Sequence, residues 1–308
     1  MTMGVDTSRT VVILNPRSGP KRDNDSEAEV RASLGLVGID PEIILLQNGV
    51  DVASLIRQRA SAGCEVFVAA GGDGTINSVA AVLAGTQAAL GILPMGTLNH
   101  FATDLGIPGD INAAAEVIAR RETTLVDVGQ VNGRMFVNNS SIGLYTTLVT
   151  EREKYMKRGF SKPVAAVLAS LIALWRFPNT SVRVTTHDTA VATRTPLVLV
   201  GNNRYEFTGT QSGKRATLDD GLLQVSMMKQ ASRTALIKAA LLAFGKVEAE
   251  PDMLILETCR AKVVTFRRLV RVALDGEVIR LRSPLEYMIL PEALRVIVDR
   301  RETGKAEG

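Results

Sequence analysis

Residues Glu65–Ala80, EVFVAAGGDGTINSVA, read as an apolar strand, a glycine-rich turn and the start of a helix. That order makes a phosphate cradle, because backbone N–H groups and the positive end of the helix dipole converge at the turn. Glycines Gly71, Gly72 and Gly74 permit positive φ and let the backbone approach a ligand. Yet the turn carries Asp73. A carboxylate about 4 Å from a phosphate oxygen is repelled by roughly 4 kcal/mol at an effective dielectric near 20, and a helix terminus returns only about 1 kcal/mol. A divalent cation between them removes the conflict. Mg2+ suits the position, since it takes one or two carboxylates plus phosphates and keeps several waters. The loop is therefore expected to hold a metal–nucleotide. The plain alternative is that Asp73 or Thr75 caps the helix that runs over Ile76–Gly85. The dinucleotide pattern GxGxxG fails on spacing, and no Gly-Lys-Ser/Thr of a P-loop follows.

Outward from this stretch, short apolar runs end in Gly, Pro or Asn: Thr10–Pro16, Glu42–Gln47, Cys64–Ala70 and Ala89–Gly96. Between them, DSEAEVRASLGL, DVASLIRQRASA and INSVAAVLAG place apolar residues three or four apart. Strand–helix alternation with such connections predicts a parallel sheet covered on both faces. Ligands of these sheets bind beyond the carboxyl ends of the strands, where Asn15-Pro16, Gly71 and Met95-Gly96-Thr97 all fall. After about Leu125 the rhythm becomes strand-like, with turn signals at Asn132-Gly133 and Asp275-Gly276. Helical stretches are expected at Glu151–Phe177 and Arg233–Phe244, and a disordered tail at GKAEG. The second half reads as an antiparallel β domain.

Composition narrows the function. The 308 residues are enough for two domains, and 46% apolar content supplies their cores. Aromatic residues make up only 4%, so a base-stacking platform for nucleic acid is not expected. A net charge of +4 suits an anionic substrate or membrane surface. Two distant cysteines, Cys64 and Cys259, argue for a reducing cytosol and against a disulfide framework or structural zinc. No signal peptide is evident, and the longest apolar run, Pro163–Phe177, is 15 residues, short of the roughly 20 that span a bilayer. A soluble or surface-attached cytoplasmic protein is expected.

Further residues bear on chemistry. LNPRSG (Leu14–Gly19) ends the first strand in a turn that could lie against nucleotide. PMGTLNHFATDLGIP (Pro94–Pro108) is a second glycine turn running into a helix, where Thr97 could cap or hold phosphate and Asn99 could bond ligand or backbone. VDVG buries Asp127 in an apolar strand, and a buried carboxylate needs a partner. His187 reads as a surface turn residue; Met227, Met228 and Trp175 read as core.

In order, NPRSG, GGDGTINSVA, LPMGTLNHFA, VDVG, LDDGLLQV and LDGE resemble the diacylglycerol kinase catalytic-domain family, in particular its bacterial soluble lipid kinases, over about Arg9–Arg300. The resemblance implies a fold of two parts with the active site between them. One is an N-terminal Rossmann-like α/β nucleotide-binding domain, 9–130. The other is a C-terminal antiparallel β-sandwich lipid-substrate domain, 131–300, whose final segment can return to the first. It implies ATP and Mg2+ as cofactors. Nucleotide binding would fall to Asn15, Gly71, Gly72, Asp73, Gly74, Thr75, Ile76, Asn77, Gly96, Thr97 and Asn99. Asp73 and Asp127 would belong to the Mg2+-linked carboxylates. Glu277, assisted by Asp275, would be the general base. A structural Mg2+ would be held by the Asp220 side chain and the carbonyls of Thr217 and Leu222. The implied partner is a lipid at the inner membrane surface, with a homodimer left open and no nucleic acid or transmembrane segment.

Two positions depart from the family pattern. His100 replaces the aspartate that usually follows Asn99, and an imidazole cannot stand in for a carboxylate around a metal. Aligned on Gly49, a usual threonine is Leu45. The alternatives are an NAD kinase, which shares GGDGT, and a non-catalytic nucleotide- or lipid-binding regulator. The basic lead Arg152–Lys162 followed by an apolar helix suggests either a helix packed on the β domain or a contact with anionic headgroups beside the lipid's access path.

Overall fold

The computed structural model describes residues 10–16, 18, 23–47, 50–176, 179–205, 215, 217–228 and 253–299. The helix expected at Arg233–Phe244, the GKAEG tail and Gly49 lie outside the described residues. The chain forms two compact units. One holds the described residues up to Val126 and those from Glu292 onward; the other is Asp127–Pro291.

The first unit alternates β1 (Thr10–Leu14), α1 (Asp23–Leu36), β2 (Glu42–Leu45), α2 (Val52–Ser61), β3 (Val66–Gly71), α3 (Asp73–Leu83), β4 (Ala89–Pro94), α4 (His100–Asp104) and α5 (Ile111–Arg120). The strands pair in parallel in the order β2-β1-β3-β4. Every residue of β1, β3 and β4 is buried, which is why they read as unbroken apolar runs: helices cover both faces of the sheet. α3 packs on β3 and β4, with α2 against it, while α5 packs on β4 with α1 against it. β1 has β2 on one side and β3 on the other. The carboxyl ends of β1 and β3 thus flank a topological switch point, where such sheets bind ligands.

The chain leaves this unit along β5 (Thr123–Val131). The second unit continues with β6 (Arg134–Phe136), β7 (Asn139–Gly143), α6 (Leu144–Lys157), α7 (Lys162–Arg176), β8 (Thr180–Thr185), β9 (Ala190–Thr195), β10 (Leu197–Asn202), β11 (Leu223–Met228), β12 (Met253–Thr258), β13 (Arg260–Thr265), β14 (Leu269–Leu274), β15 (Glu277–Arg282) and β16 (Leu285–Ile297). One antiparallel sheet runs β12-β11-β10-β7-β14-β15. The other pairs β16 with β13, β13 with β8 and β8 with β9, and carries the β5–β6 hairpin. Alternate residues of the two sheets, among them Val182, Val184 and Val263 from one and Val200, Val225 and Val272 from the other, meet in a single core. This is a β-sandwich. Asn132-Gly133 and Asp275-Gly276 both form two-residue hairpin turns with positive φ at each position, as Asn-Gly and Asp-Gly favour.

Several elements differ from expectation. The helical stretch expected at Glu151–Phe177 divides into a basic lead and an apolar helix, as Gly159 and Pro163 imply, but α6 begins earlier, inside the β-branched run LYTTLVT. Its threonines turn inward: Thr146 Oγ1 donates to the Gly143 carbonyl at 2.7 Å and Thr150 Oγ1 to the Thr146 carbonyl at 2.7 Å. Such bonds return each hydroxyl to a carbonyl of the preceding turn. Trp175, expected in the core, is 75% exposed on α7, whereas Met227 and Met228 are buried. α5, β12 and β16 add to the expected elements. β16 contains Pro291, which reads as a strand end, and the chain passes there to Glu292 at φ 51°. Its last residues, Arg295 and Val296, lie parallel to Ala89 and Leu90 of β4 in the first unit.

Candidate active site

In the first unit the switch point is built from three loops. The Asn15 amide, just past β1, donates to the Ala70 carbonyl at 3.0 Å, and its Nδ2 donates to Thr75 Oγ1 at 3.2 Å. The Gly72 amide donates to Ser18 Oγ at 3.3 Å. The loop after β1 is thereby fastened to the start of α3. The third loop, after β4, closes on itself: Asn99 Oδ1 accepts from the Gly96 amide at 3.0 Å and its Nδ2 donates to the Gly96 carbonyl at 3.1 Å. Asn99 takes the left-handed conformation, φ 49°.

Gly71, Gly72 and Gly96 are required for space. None of Gly71, Gly72, Gly74 or Gly96 has positive φ, contrary to the expectation for the first three. A Cβ on Gly71 would stand 2.5 Å from Thr75 Oγ1, and one on Gly96 would stand 2.6 Å from the Gly72 Cα. The two glycine loops therefore touch backbone to backbone.

The start of α3 differs from those of α2 and α5. α2 and α5 begin with Asp51 and Asp110, whose side chains accept from the amides that open each helix. α3 begins with Gly72 and has no side-chain cap. The capping role considered for Asp73 or Thr75 is not what the structure shows, and Thr97 does not cap α4, whose N-cap is Asn99. Among the described residues Asp73 Oδ1 is buried without a hydrogen-bond partner, and so are both polar atoms of the Asn77 amide one turn on. A buried, unpaired carboxylate oxygen costs free energy unless something positive joins it. Ile76 is fully buried beneath this turn, while Thr97 and His100 are exposed.

The second unit holds the other carboxylates. Asp275, at φ 47° in the β14–β15 turn, accepts from three successive amides: Val137 at 2.9 Å on Oδ2, and Asn138 at 2.8 Å and Asn139 at 2.9 Å on Oδ1. The carbonyl side of the same segment is held by Asn202 Nδ2 and Arg215, both of which donate to the Val137 carbonyl. Arg215 also donates to Asn138 Oδ1 at 2.8 Å. Burial outweighs these amides and pushes the Asp275 carboxyl up to about 6. Glu277, two residues on, opens β15 with its side chain exposed. Asp127, 1% exposed, finds its partner in the Gly221 amide at 2.7 Å, and its own amide donates to the Leu218 carbonyl at 2.8 Å. VDVG and LDDG, separate in the sequence, form one assembly. In that turn Asp220 has Arg204 3.4 Å away, the Leu222 carbonyl accepts from the Asn203 amide at 3.0 Å, and Thr217 is exposed.

The model of the diacylglycerol kinase catalytic domain matches residues 9–131. The model described as the YegS C-terminal NAD kinase beta sandwich-like domain matches residues 145–298. A Pectobacterium atrosepticum protein named "Probable lipid kinase YegS-like" is 30% identical over 224 residues, 71% of this chain and 74% of that protein. The chain belongs to the diacylglycerol kinase catalytic-domain family. A relative from Mycobacterium tuberculosis named diacylglycerol kinase is 29% identical over 307 residues, covering 95% of this chain and 96% of its own. The crystal structure of a diacylglycerol kinase from Bacillus anthracis shares the fold, with a TM-score of 0.70 at 21% identity over 95% of this chain and 97% of that one.

Membership makes the protein a kinase. Within this member of the diacylglycerol kinase family, Ser18, Asn138, Asn202 and Arg215 escaped the sequence reading of the site. The asparagines had a signal: Asn138-Asn139 and Asn202-Asn203 are polar pairs set in apolar strands, and a buried amide there must be holding backbone. Arg215 had none.

Asp275→Asn tests the clamp. An amide nitrogen must then face at least one backbone N–H, a donor against a donor, which costs about 1–3 kcal/mol. The pH dependence follows from the raised pKa. Between the ordinary 3.8 and about 6 the folded protein keeps a proton that the unfolded chain has released. The stabilisation from Asp275 is complete below that window and declines as pH rises through it. The gap in melting temperature between parent and variant is expected to narrow from about pH 4 to 6. A gap that widens over this range would show that Asp275 is not a buried clamp.

Proposed function

We propose that the protein is an ATP- and Mg2+-dependent lipid kinase acting at the cytoplasmic membrane surface, with diacylglycerol or a related lipid alcohol as acceptor. The observation that carries the reading is the uncapped start of α3 at the β1/β3 switch point, with a buried, partnerless Asp73 oxygen beside it. Bare amides suit the phosphates, and the orphaned carboxylate suits a cation.

The residues divide the work. The amides of α3's first turn, with Asn15, Thr75 and the Gly96 loop, bind and orient the triphosphate. Asp73 would hold Mg2+, with Asn77 one turn away; when bound, the ion neutralises charge on the triphosphate. At the Asp220 turn, where a cation was expected on Asp220 and the Thr217 and Leu222 carbonyls, Arg204 already supplies a counter-ion. Asp127 and Asp275 act as backbone clamps. Glu277, exposed at the start of β15, takes the proton of the lipid hydroxyl. That oxygen bonds to the γ-phosphorus as the bond to the β–γ bridging oxygen breaks, and ADP leaves. Positioning and charge compensation supply most of the acceleration in such transfers.

The experiment is transfer of labelled γ-phosphate from ATP to a lipid panel and to NAD, with and without Mg2+. Label on lipid that requires Mg2+ is expected. Label on NAD alone would replace the reading with an NAD kinase, and nucleotide binding without any transfer would leave a regulator.

A further inference from the structure

α7 is built inside out. In a surface helix the large apolar residues face the protein and the small or polar ones face water. Here Ala165, Ala169 and Ala173, four residues apart, are buried, and α7 packs on α6. The opposite side carries Val164, Val167, Leu171 and Trp175, which are 45%, 60%, 59% and 75% exposed. At 100° per residue these four lie within one stripe pointing away from α6. The C-terminal end of the helix is anchored: Arg176 and Lys154 both pair with Glu151 at 2.9 Å, and Glu151 is buried.

The free end of the stripe is basic. From Arg152 to Lys162 the sequence has five Lys or Arg residues and one acid, Glu153. Lys157, Arg158 and Lys162 are exposed around the α6–α7 turn, and among the described residues none pairs with an acid. Phe160, also exposed at 44%, stands between them. Aliphatic side chains with one tryptophan, flanked by cations, match the boundary between acyl chains and anionic headgroups. A protein partner would need complementary acids around an apolar groove; a bilayer supplies both chemistries over any length of helix.

We infer that the outer stripe of α7 inserts at the interface of an anionic bilayer, with Lys157, Arg158 and Lys162 on the headgroups, and so docks the kinase on its substrate's membrane. This rests on the lipid-kinase reading above for its purpose, though not for its geometry.

Trp175 is the only tryptophan in the chain, so its emission reports on the stripe directly. With phosphatidylcholine vesicles containing phosphatidylglycerol, the emission of the full-length protein shifts to the blue and is quenched by lipids brominated on their acyl chains. Changing Lys157, Arg158 and Lys162 to glutamine weakens vesicle binding by about 100-fold. Val167→Gln with Leu171→Gln, which keeps the tryptophan and alters only exposed positions, abolishes the shift. That variant retains phosphoryl transfer to a short-chain, water-soluble diacylglycerol and loses transfer to vesicle-borne lipid. Unchanged emission with vesicles overturns the inference, as does a blue shift without lipid that tracks dimer formation in sedimentation. Failure of the kinase reading looks different: no lipid is labelled in either form, while the emission still shifts.

Discussion

Asp73→Asn is expected to cut turnover severely and to leave the protein folded. The substitution keeps the shape of the side chain and removes its charge, so whatever is lost is electrostatic. On the proposed role, loss of the carboxylate would leave the cation less well held and the triphosphate charge uncompensated. An interaction of about 4 kcal/mol at 4 Å and a dielectric near 20 corresponds to about 10³ in rate, the fall in kcat expected at saturating ATP. The folded state has little to lose, since Asp73 Oδ1 has no hydrogen-bond partner and α3 has no side-chain cap. Only the favourable charge at the helix start is given up, about 0.3–1 kcal/mol. Raising Mg2+ should recover part of the activity. A variant that melts several degrees lower but keeps its specific activity would return Asp73 to a structural role.

Glu277→Gln is the second large effect. Loss of a general base costs about 10²–10⁴ in rate, and glutamine can still orient a hydroxyl without accepting its proton. ATP affinity and melting temperature are expected to stay at parental values, because the side chain is exposed at the first residue of β15. The comparison with Asp275→Asn is diagnostic. Two carboxylates separated by one glycine should fail differently: Glu277 in kcat alone, Asp275 in stability first. Activity of Glu277→Gln within about threefold of the parent would remove the base assignment.

Much of this was legible from one-dimensional patterns. β1, β3 and β4 announce themselves because a parallel strand buried on both faces must be apolar throughout. Asp275-Gly276 and Asn132-Gly133 announce their turns because few pairs tolerate two positive φ values in succession. What could not be read depends on partners distant in sequence. The glycines at 71, 72 and 96 were attributed to φ, yet they are dictated by Thr75 and by each other. The hold of Asp275 on three amides of residues 137–139 was out of reach, because sequence cannot show segments so far apart converging. Trp175 was placed in the core because its stripe is as apolar as a core stripe; only the alanines opposite it reveal which side turns inward.

An uncapped helix start that a nucleotide completes would tie the lifetime of the protein to metabolism. α2 and α5 complete their first turns with their own aspartates, whereas α3 leaves that task to whatever occupies the switch point. A ligand that binds only the folded state stabilises it in proportion to the logarithm of its free concentration over its dissociation constant. If the occupant is a nucleotide, a cell depleted of it would hold a kinase that opens and is degraded more readily, so supply would govern abundance as well as rate. Amide hydrogen exchange in the first turns of α3 should then slow when nucleotide is added, while exchange in α2 and α5 changes far less.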